Sequence, residues 1–241
     1  MKKALGVIPV RYGATRFPGK PLASILGKPM LQWVYEGAQR AKLLSDVLIA
    51  TDDERILKIS AEIGAKALMT SPGHTSGSER VAEVAESARV SIVINIQGDE
   101  PLITGEIIDL LILSLQDRAI PMATLMAKNK DISSLNNPHI VKVIVDKNSQ
   151  ALYFSRSPLP HGASDFFFQH IGIYGYQKNF LLNFHRMARS RLEKIESLEQ
   201  LRALENGYRI KMVEIPFPTL SVDTPQDIIK VEDLLRKRSH E

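Results

Sequence analysis

The chain contains no cysteine, so neither a disulfide nor a thiolate metal site is available to it. Aromatic residues are scarce, at 6% with one tryptophan, and they do not alternate with clustered cations. That argues against the stacking platforms that bind single-stranded nucleic acid. Cations outnumber acids only 31 to 27. The one basic trio, Arg236 to Arg238, reads as a solvated helix end that complements the macrodipole. No apolar run approaches the length of a membrane span. The opening run from Ala4 to Val10 is too short for a secretory signal and leads directly into Arg11, so a soluble cytoplasmic protein is expected. No Gly-x-Ser-x-Gly and no Gly-x4-Gly-Lys-Ser/Thr occurs, and no Gly-x-Gly-x-x-Gly follows the first apolar run. Serine hydrolases, Walker-type NTPases and the usual dinucleotide site therefore lose ground.

What the chain does have is alternation of strand and helix patterns, which predicts an α/β fold with a mostly parallel sheet. Ala4 to Val10 and Ser91 to Ile96 are nearly continuous apolar runs, as strands buried on both faces require. Val47 to Ala50 reads as another buried strand, and Lys66 to Met69 as a short one. Helical spacing appears at Met30, Val34 and Ala38 after Pro29, at Ile56, Ile59 and Ile63 before Gly64, and at Val81, Val84 and Ala88. From about Pro121 the pattern changes. His139 to Val145 and Gln150 to Phe154 flank Asp146 to Asn148 as an antiparallel hairpin, and a further strand runs from Gln169 to Tyr176. Ile195, Leu198, Leu201 and Leu204 predict one helix, followed by a strand from Arg209 to Ile215 and a last helix opening at Pro225 with Thr224 as its cap. The chain is read as a single domain, 1–241, with a soft boundary near residue 120.

The first loop gathers Arg11, Gly13, Arg16, Gly19 and Lys20 just beyond a strand. Glycines admit close approach of a ligand, cations supply donors for phosphate oxygens, and ligands of open α/β sheets sit beyond the strands' carboxyl ends. A polyphosphate site is the first expectation. Asp99, in Gln97 to Pro101 after the central strand, suits Mg2+ beside bound phosphates as well as it suits a plain turn. Asp223 alone suits electrostatic complementarity to the next helix, but the pair of carboxylates is more telling. Asp52 and Asp53 are read as helix caps, and Ser76 to Glu79 as a capping box that leaves Gly77 and Arg80 unexplained. His74 and His161 are read as surface loop residues; His170 suits a satisfied half-buried role or a ligand contact equally.

Six segments in one order resemble a known family: Ile8 to Leu22, Gln97 to Pro101, Tyr153 to Arg156, His170 to Tyr174, Leu198 to Arg202, and Val222 to Pro225. Together they resemble the 3-deoxy-manno-octulosonate (KDO) cytidylyltransferase, or CMP-KDO synthetase, family. The resemblance implies a nucleotide-diphospho-sugar transferase (Rossmann-like) three-layer fold, with an inserted antiparallel element for dimerisation and sugar binding. It divides the chain into about 1–120 for CTP, about 121–220 for the sugar acid, and 221–241 for a metal aspartate and the last helix. It implies the reaction CTP + KDO → CMP-KDO + diphosphate for lipopolysaccharide synthesis, carried out by a cytoplasmic homodimer with no nucleic-acid or membrane partner. By the same resemblance Arg11, Arg16, Lys20, Ser76, Gly77, Arg80 and Gln97 would bind CTP, and Asp99 and Asp223 would hold Mg2+. Arg11, Lys20, Asp99 and Asp223 would be catalytic. Arg156, His170, Tyr174, Glu199 and Gln200 would line the sugar-acid pocket. Val10, Ser78, Glu79 and Gly175 depart from the family's commonest residues, and the loop from Pro160 to Asp165 is short for it. The alternatives are a cytidylyltransferase for an amino analogue of KDO or for sialic acid, and a non-catalytic nucleotide-binding protein on the same scaffold.

Overall fold

The computed structural model describes residues 3–13 and 17–238. These form two compact units, one within 3–109 together with 219–238, the other Leu110–Pro218.

The first unit opens with β1 (Ala4–Val10), followed by the short β2 (Ser24–Ile25) and β3 (Lys28–Pro29) and by α1 (Met30–Gln39). Then come β4 (Leu44–Thr51), α2 (Glu54–Glu62), β5 (Ala67–Met69), α3 (Gly77–Ser87) and β6 (Ile92–Asn95). Strand β1 pairs in parallel with β6 on one side and β4 on the other, and β4 pairs in parallel with β5. As the apolar runs require, β6 is buried throughout and β1 almost so. Helices α1 and α2 pack on β4, and α3 on β1 and β6. Asp53 caps α2 by accepting the Arg55 N–H at 2.9 Å, and Gly64, at φ 69°, ends it in the left-handed region that favours glycine.

Helix α4 (Gly105–Ser114) lies in a stretch to which sequence patterning assigned nothing. Its run of Ile and Leu is apolar nearly all round, so no amphipathic period stands out. The second unit continues with β7 (Met122–Asn129), β8 (Lys142–Val145), β9 (Ala151–Ser155) and β10 (Phe167–Gln177). Next come α5 (Lys178–Phe184), α6 (Arg191–Glu196), α7 (Leu201–Glu205) and β11 (Ile210–Ile215). Strands β8 and β9 form the antiparallel hairpin, β10 runs antiparallel to β7, and β11 runs parallel to β7. The single helix predicted through Ile195 and Leu204 is instead two. Ser197 takes up φ 54°, ψ 47°, a left-handed conformation that closes α6, and its N–H donates to the Glu193 carbonyl.

The chain returns to the first unit for α8 (Pro225–Arg238). Val231 and Leu235 of α8 join Ile25, Met30, Leu102 and Val222 in one buried cluster. That cluster fixes the segment carrying Asp223 against the start of α1.

Gly37, inside α1, faces the Ile103 backbone, and a Cβ there would fall on the Ile103 carbonyl oxygen. Helix propensity favours alanine by ~1 kcal/mol, but a backbone clash costs more than that gain. Gly37→Ala is expected to destabilise by about 2 kcal/mol, lowering Tm by roughly 4–8 °C. A melting temperature at or above wild type in a calorimetric scan would contradict that account of the α1 contact.

Candidate active site

Three chain ends of the first unit frame one cavity of about 410 Å³: the exits of β1 and β6 and the start of α3. Its lining includes Arg11, Lys20, Ser76, Gly77, Arg80, Gln97, Asp99 and Asp223. All the nucleotide and metal candidates among the described residues thus surround a single space; Arg16 lies outside the described residues. The backbone permits this crowding where side chains are absent. A Cβ on Gly98 would lie 3.1 Å from Val10 Cγ2, and one on Gly77 would lie 3.3 Å from Pro9 Cγ.

Lys20 begins a short 3₁₀ turn after Gly19, which sits at φ 72°. Its ammonium donates to Asp99 Oδ2 at 2.7 Å and to the Val222 carbonyl at 2.8 Å, and lies 3.6 Å from Asp223 Oδ1. Two carboxylates from segments far apart in sequence therefore converge on one cation. The adjoining Glu100 is buried, and burial first, then the Asp99 charge, pushes its carboxyl up to about 8. Thr219 lies close enough to ease that shift slightly, but Glu100 Oε2 and Thr219 Oγ1 make no well-formed hydrogen bond. Burial thus favours the protonated form of Glu100, a feature that local sequence pattern does not mark.

Arg80 lines the cavity but is buried and committed. Its guanidinium donates to Asp52 Oδ2 at 2.7 Å and to Thr70 Oγ1. Asp52 is consequently no cap: Asp53 does that work, and Asp52 orients Arg80. Ser76 Oγ accepts the Glu79 N–H at 3.3 Å, as the capping box predicts, while Glu79 reaches back to the Thr75 N–H at 2.7 Å. His74 is not the surface residue expected. Its side chain is 20% exposed, lines the cavity, and is held between Glu83, which meets its Nε2, and Glu79. Glu79 and Glu83 share one face of α3 at i, i+4, and that spacing was the signal available in the sequence.

The sugar-acid candidates all lie in the second unit. Register shifts by two residues where β10 passes Thr124, so that Leu125 faces Ile171 and Thr124 faces Tyr174. The Thr124 hydroxyl fills this bulge, lying 2.7 Å from the Ile173 carbonyl, 3.1 Å from that of Ile171 and 3.0 Å from His170 Nε2. With the hydroxyl donating to a carbonyl, its oxygen accepts the His170 Nε2–H. Burial pushes the imidazole down to about 3, so His170 is neutral. Tyr174 donates to Gln200 Oε1 at 3.1 Å, and burial together with Glu199 raises its phenol well above the ordinary value. Gln200 Nε2 is buried without a partner among the described residues. Glu199 pairs with Arg202 at 3.2 Å. The Arg156 guanidinium is braced by backbone, donating to the carbonyls of Glu196 and Pro138, both at 2.9 Å.

A family model described as cytidylyltransferase matches residues 5–212. A 3-deoxy-manno-octulosonate cytidylyltransferase of Syntrophobacter fumaroxidans is 48% identical over 97% of each chain. One of Solibacter usitatus is 47% identical, over 98% of this chain and 95% of its own. The solved structure of CMP:2-keto-3-deoxy-manno-octonic acid synthetase complexed with CTP superposes with a TM-score of 0.93 at 41% identity, covering 98% of this chain and 99% of that one. A 4-diphosphocytidyl-2C-methyl-D-erythritol synthase of Anaerococcus prevotii, at TM-score 0.65 and 16% identity, shares the fold.

His170 stays uncharged in the folded chain down to about pH 3, whereas an unfolded imidazole takes its proton near 6.5. Between those values the unfolded state binds the extra proton, so stability falls as pH drops, by up to ~1.4 kcal/mol per pH unit. His170→Gln is expected to flatten the slope of unfolding free energy between pH 6 and 4 relative to wild type. Parallel slopes in urea titrations of the two proteins would show that His170 does not contribute.

Proposed function

The chain belongs to the cytidylyltransferase family, and on that premise we propose that it is a 3-deoxy-manno-octulosonate cytidylyltransferase, joining CTP and KDO into CMP-KDO with release of diphosphate. The observation that carries the mechanism is the convergence of Asp99 and Asp223 on the Lys20 ammonium beside the cationic first loop. We further assign the product to lipopolysaccharide synthesis, the reaction to the cytoplasm and the assembly to a homodimer. No helix among the described residues is long and apolar enough to cross a membrane.

The reaction is a direct displacement at phosphorus: the anomeric hydroxyl of KDO attacks the α-phosphate of CTP and diphosphate departs in line. The protein's part in such chemistry is positioning and charge stabilisation. Arg11, exposed at the cavity, and Lys20, released from Asp99, would meet the phosphate oxygens. Ser76 and Gly77 offer the start of α3, where backbone N–H groups and the helix dipole favour anions. Arg80, held in place by Asp52 and Thr70, presents a fixed positive wall. The donor set suits Mg2+: two carboxylates already converge on one cation, and this ion commonly uses one or two carboxylates plus substrate phosphates. Held by Asp99 and Asp223, it would neutralise phosphate charge and acidify the attacking hydroxyl. In the second unit the neutral His170 and Tyr174 and the unpartnered Gln200 amide favour a polyhydroxylated acceptor.

The test is diphosphate release with Mg2+, crossing CTP, UTP, ATP and GTP with KDO, its 8-amino analogue and sialic acid. Release is expected with CTP and KDO together, and release that needs no sugar acid overturns the reading. Asp99→Ala and Asp223→Ala should each lose roughly 10²–10³-fold in turnover while keeping the wild-type circular dichroism. Near-normal turnover of either at saturating Mg2+ would sink the metal assignment.

A further inference from the structure

The first loop is pinned from outside the cavity by a contact that no part of the chemistry uses. Strands β1 and β4 run side by side with Val10 opposite Thr51. Two residues beyond each strand stand Tyr12 and Asp53, so the exits of the two strands bring these residues level. Arg55, in the first turn of α2, lays its guanidinium over the Tyr12 ring, with Cζ 3.3 Å from the ring centroid. Asp53 fixes that guanidinium through two bonds, from Nε at 2.9 Å and from Nη2 at 2.6 Å. An Arg at the start of a helix gains nothing from the macrodipole there. Asp53 needs only the Arg55 N–H to cap α2. The stacked arrangement is thus unexplained by helix stability.

Its effect is on the loop. The Tyr12 carbonyl accepts the Gly19 N–H at 3.2 Å, which ties Tyr12 to the residue immediately before Lys20. The Tyr12 ring also covers Gly19, since a Cβ there would lie 3.3 Å from the phenol oxygen. Backbone and ring of one residue therefore both hold Gly19, and through it the approach of Lys20 to Asp99.

We propose that Arg55, clamped by Asp53 and stacked on Tyr12, is a positioning residue that, through Tyr12, holds Gly19 and Lys20 in place beside the cavity. This rests on the nucleotide reading of the cavity. A planar guanidinium can stack and take a bidentate carboxylate together, and a lysine ammonium cannot do both. The contact is specific to arginine and to an aromatic ring.

The test uses the full chain in two states. In the ligand-free protein, exchange of the Gly19 and Lys20 amides is followed by NMR. With Mg2+ present, CTP is titrated calorimetrically into wild type, Arg55→Ala, Arg55→Lys, Tyr12→Leu, Tyr12→Phe and the double variant Arg55→Ala/Tyr12→Leu. Arg55→Ala, Arg55→Lys and Tyr12→Leu should each speed exchange and weaken CTP about three- to fivefold, with the KM for CTP rising and that for the sugar acid unchanged. The double variant should match the single ones rather than multiply them, and Tyr12→Phe should lose less than twofold. Multiplying losses, or exchange and affinity of Arg55→Ala within about twofold of wild type, would overturn the proposal. Binding of CTP without diphosphate release on adding KDO would refute the substrate reading and leave the loop inference standing. Absence of CTP binding by wild type would refute the nucleotide reading, with amide exchange then deciding the loop.

Discussion

The Lys20 ammonium is where three separate stretches of the first unit meet. It reaches the exit of β6 through Asp99, the segment before α8 through the Val222 carbonyl, and the loop after β1 by its own backbone. The Val222 N–H returns to the Asp99 carbonyl at 2.9 Å, so the two acidic segments are also stitched directly. Three acidic side chains crowd this point, and Lys20 pairs with two of them, Asp99 and Asp223. Full ionisation of all three would leave strong mutual repulsion in a partly buried site. The structure eases it by burying Glu100, which favours its protonated form, and by sharing Lys20 between the two aspartates. What remains is an anionic point beside cationic loop residues, the feature on which the proposed Mg2+ site rests.

The second unit handles its buried polar groups by neutrality and pairing. His170 and Tyr174 stay uncharged, while Arg202 is buried against Glu193 through bonds of 2.8 and 2.6 Å. Lys142, also buried, has its ammonium capped by the carbonyls of Asn137, Ile140 and Arg156. Arg156 is held in turn by its backbone N–H on the Glu196 carboxylate and its Nε on the Glu196 carbonyl, which makes it a brace for that segment. Three buried side-chain atoms of this unit are left without a partner among the described residues, Gln150 Oε1, His185 Nδ1 and Gln200 Nε2, and of these the Gln200 amide is a donor in every state. A buried donor without an acceptor is costly unless a ligand or water meets it.

Legibility followed periodicity. Strands β1 and β6 stand out because burial on both faces demands unbroken apolar runs, β4 through its buried end from Val47, and α2 because its apolar positions repeat on one side. Helix α4 was hidden by the opposite property, being apolar nearly all round, and β7 by its Ala and Met residues in place of β-branched ones. The break at Ser197 was invisible because a left-handed residue other than glycine leaves no mark in composition. At the site, Asp52 and His74 were misjudged for one reason. Their partners, Arg80 for the first and Glu83 for the second, are set by how α3 packs, and adjacency in the chain says nothing of it.

The alternation of strands and helices, the cationic loop after β1 and the carboxylates after β6 and before α8 can all be read along the chain. Those follow from local propensity and apolar spacing, which act over a few residues. Tertiary structure alone decided that residues 20, 99 and 223 share one point, that burial favours the protonated form of Glu100 and keeps His170 neutral, and that Arg80 is already spoken for. Each of these depends on distance and dielectric, quantities that exist only once the chain has folded and water has been excluded.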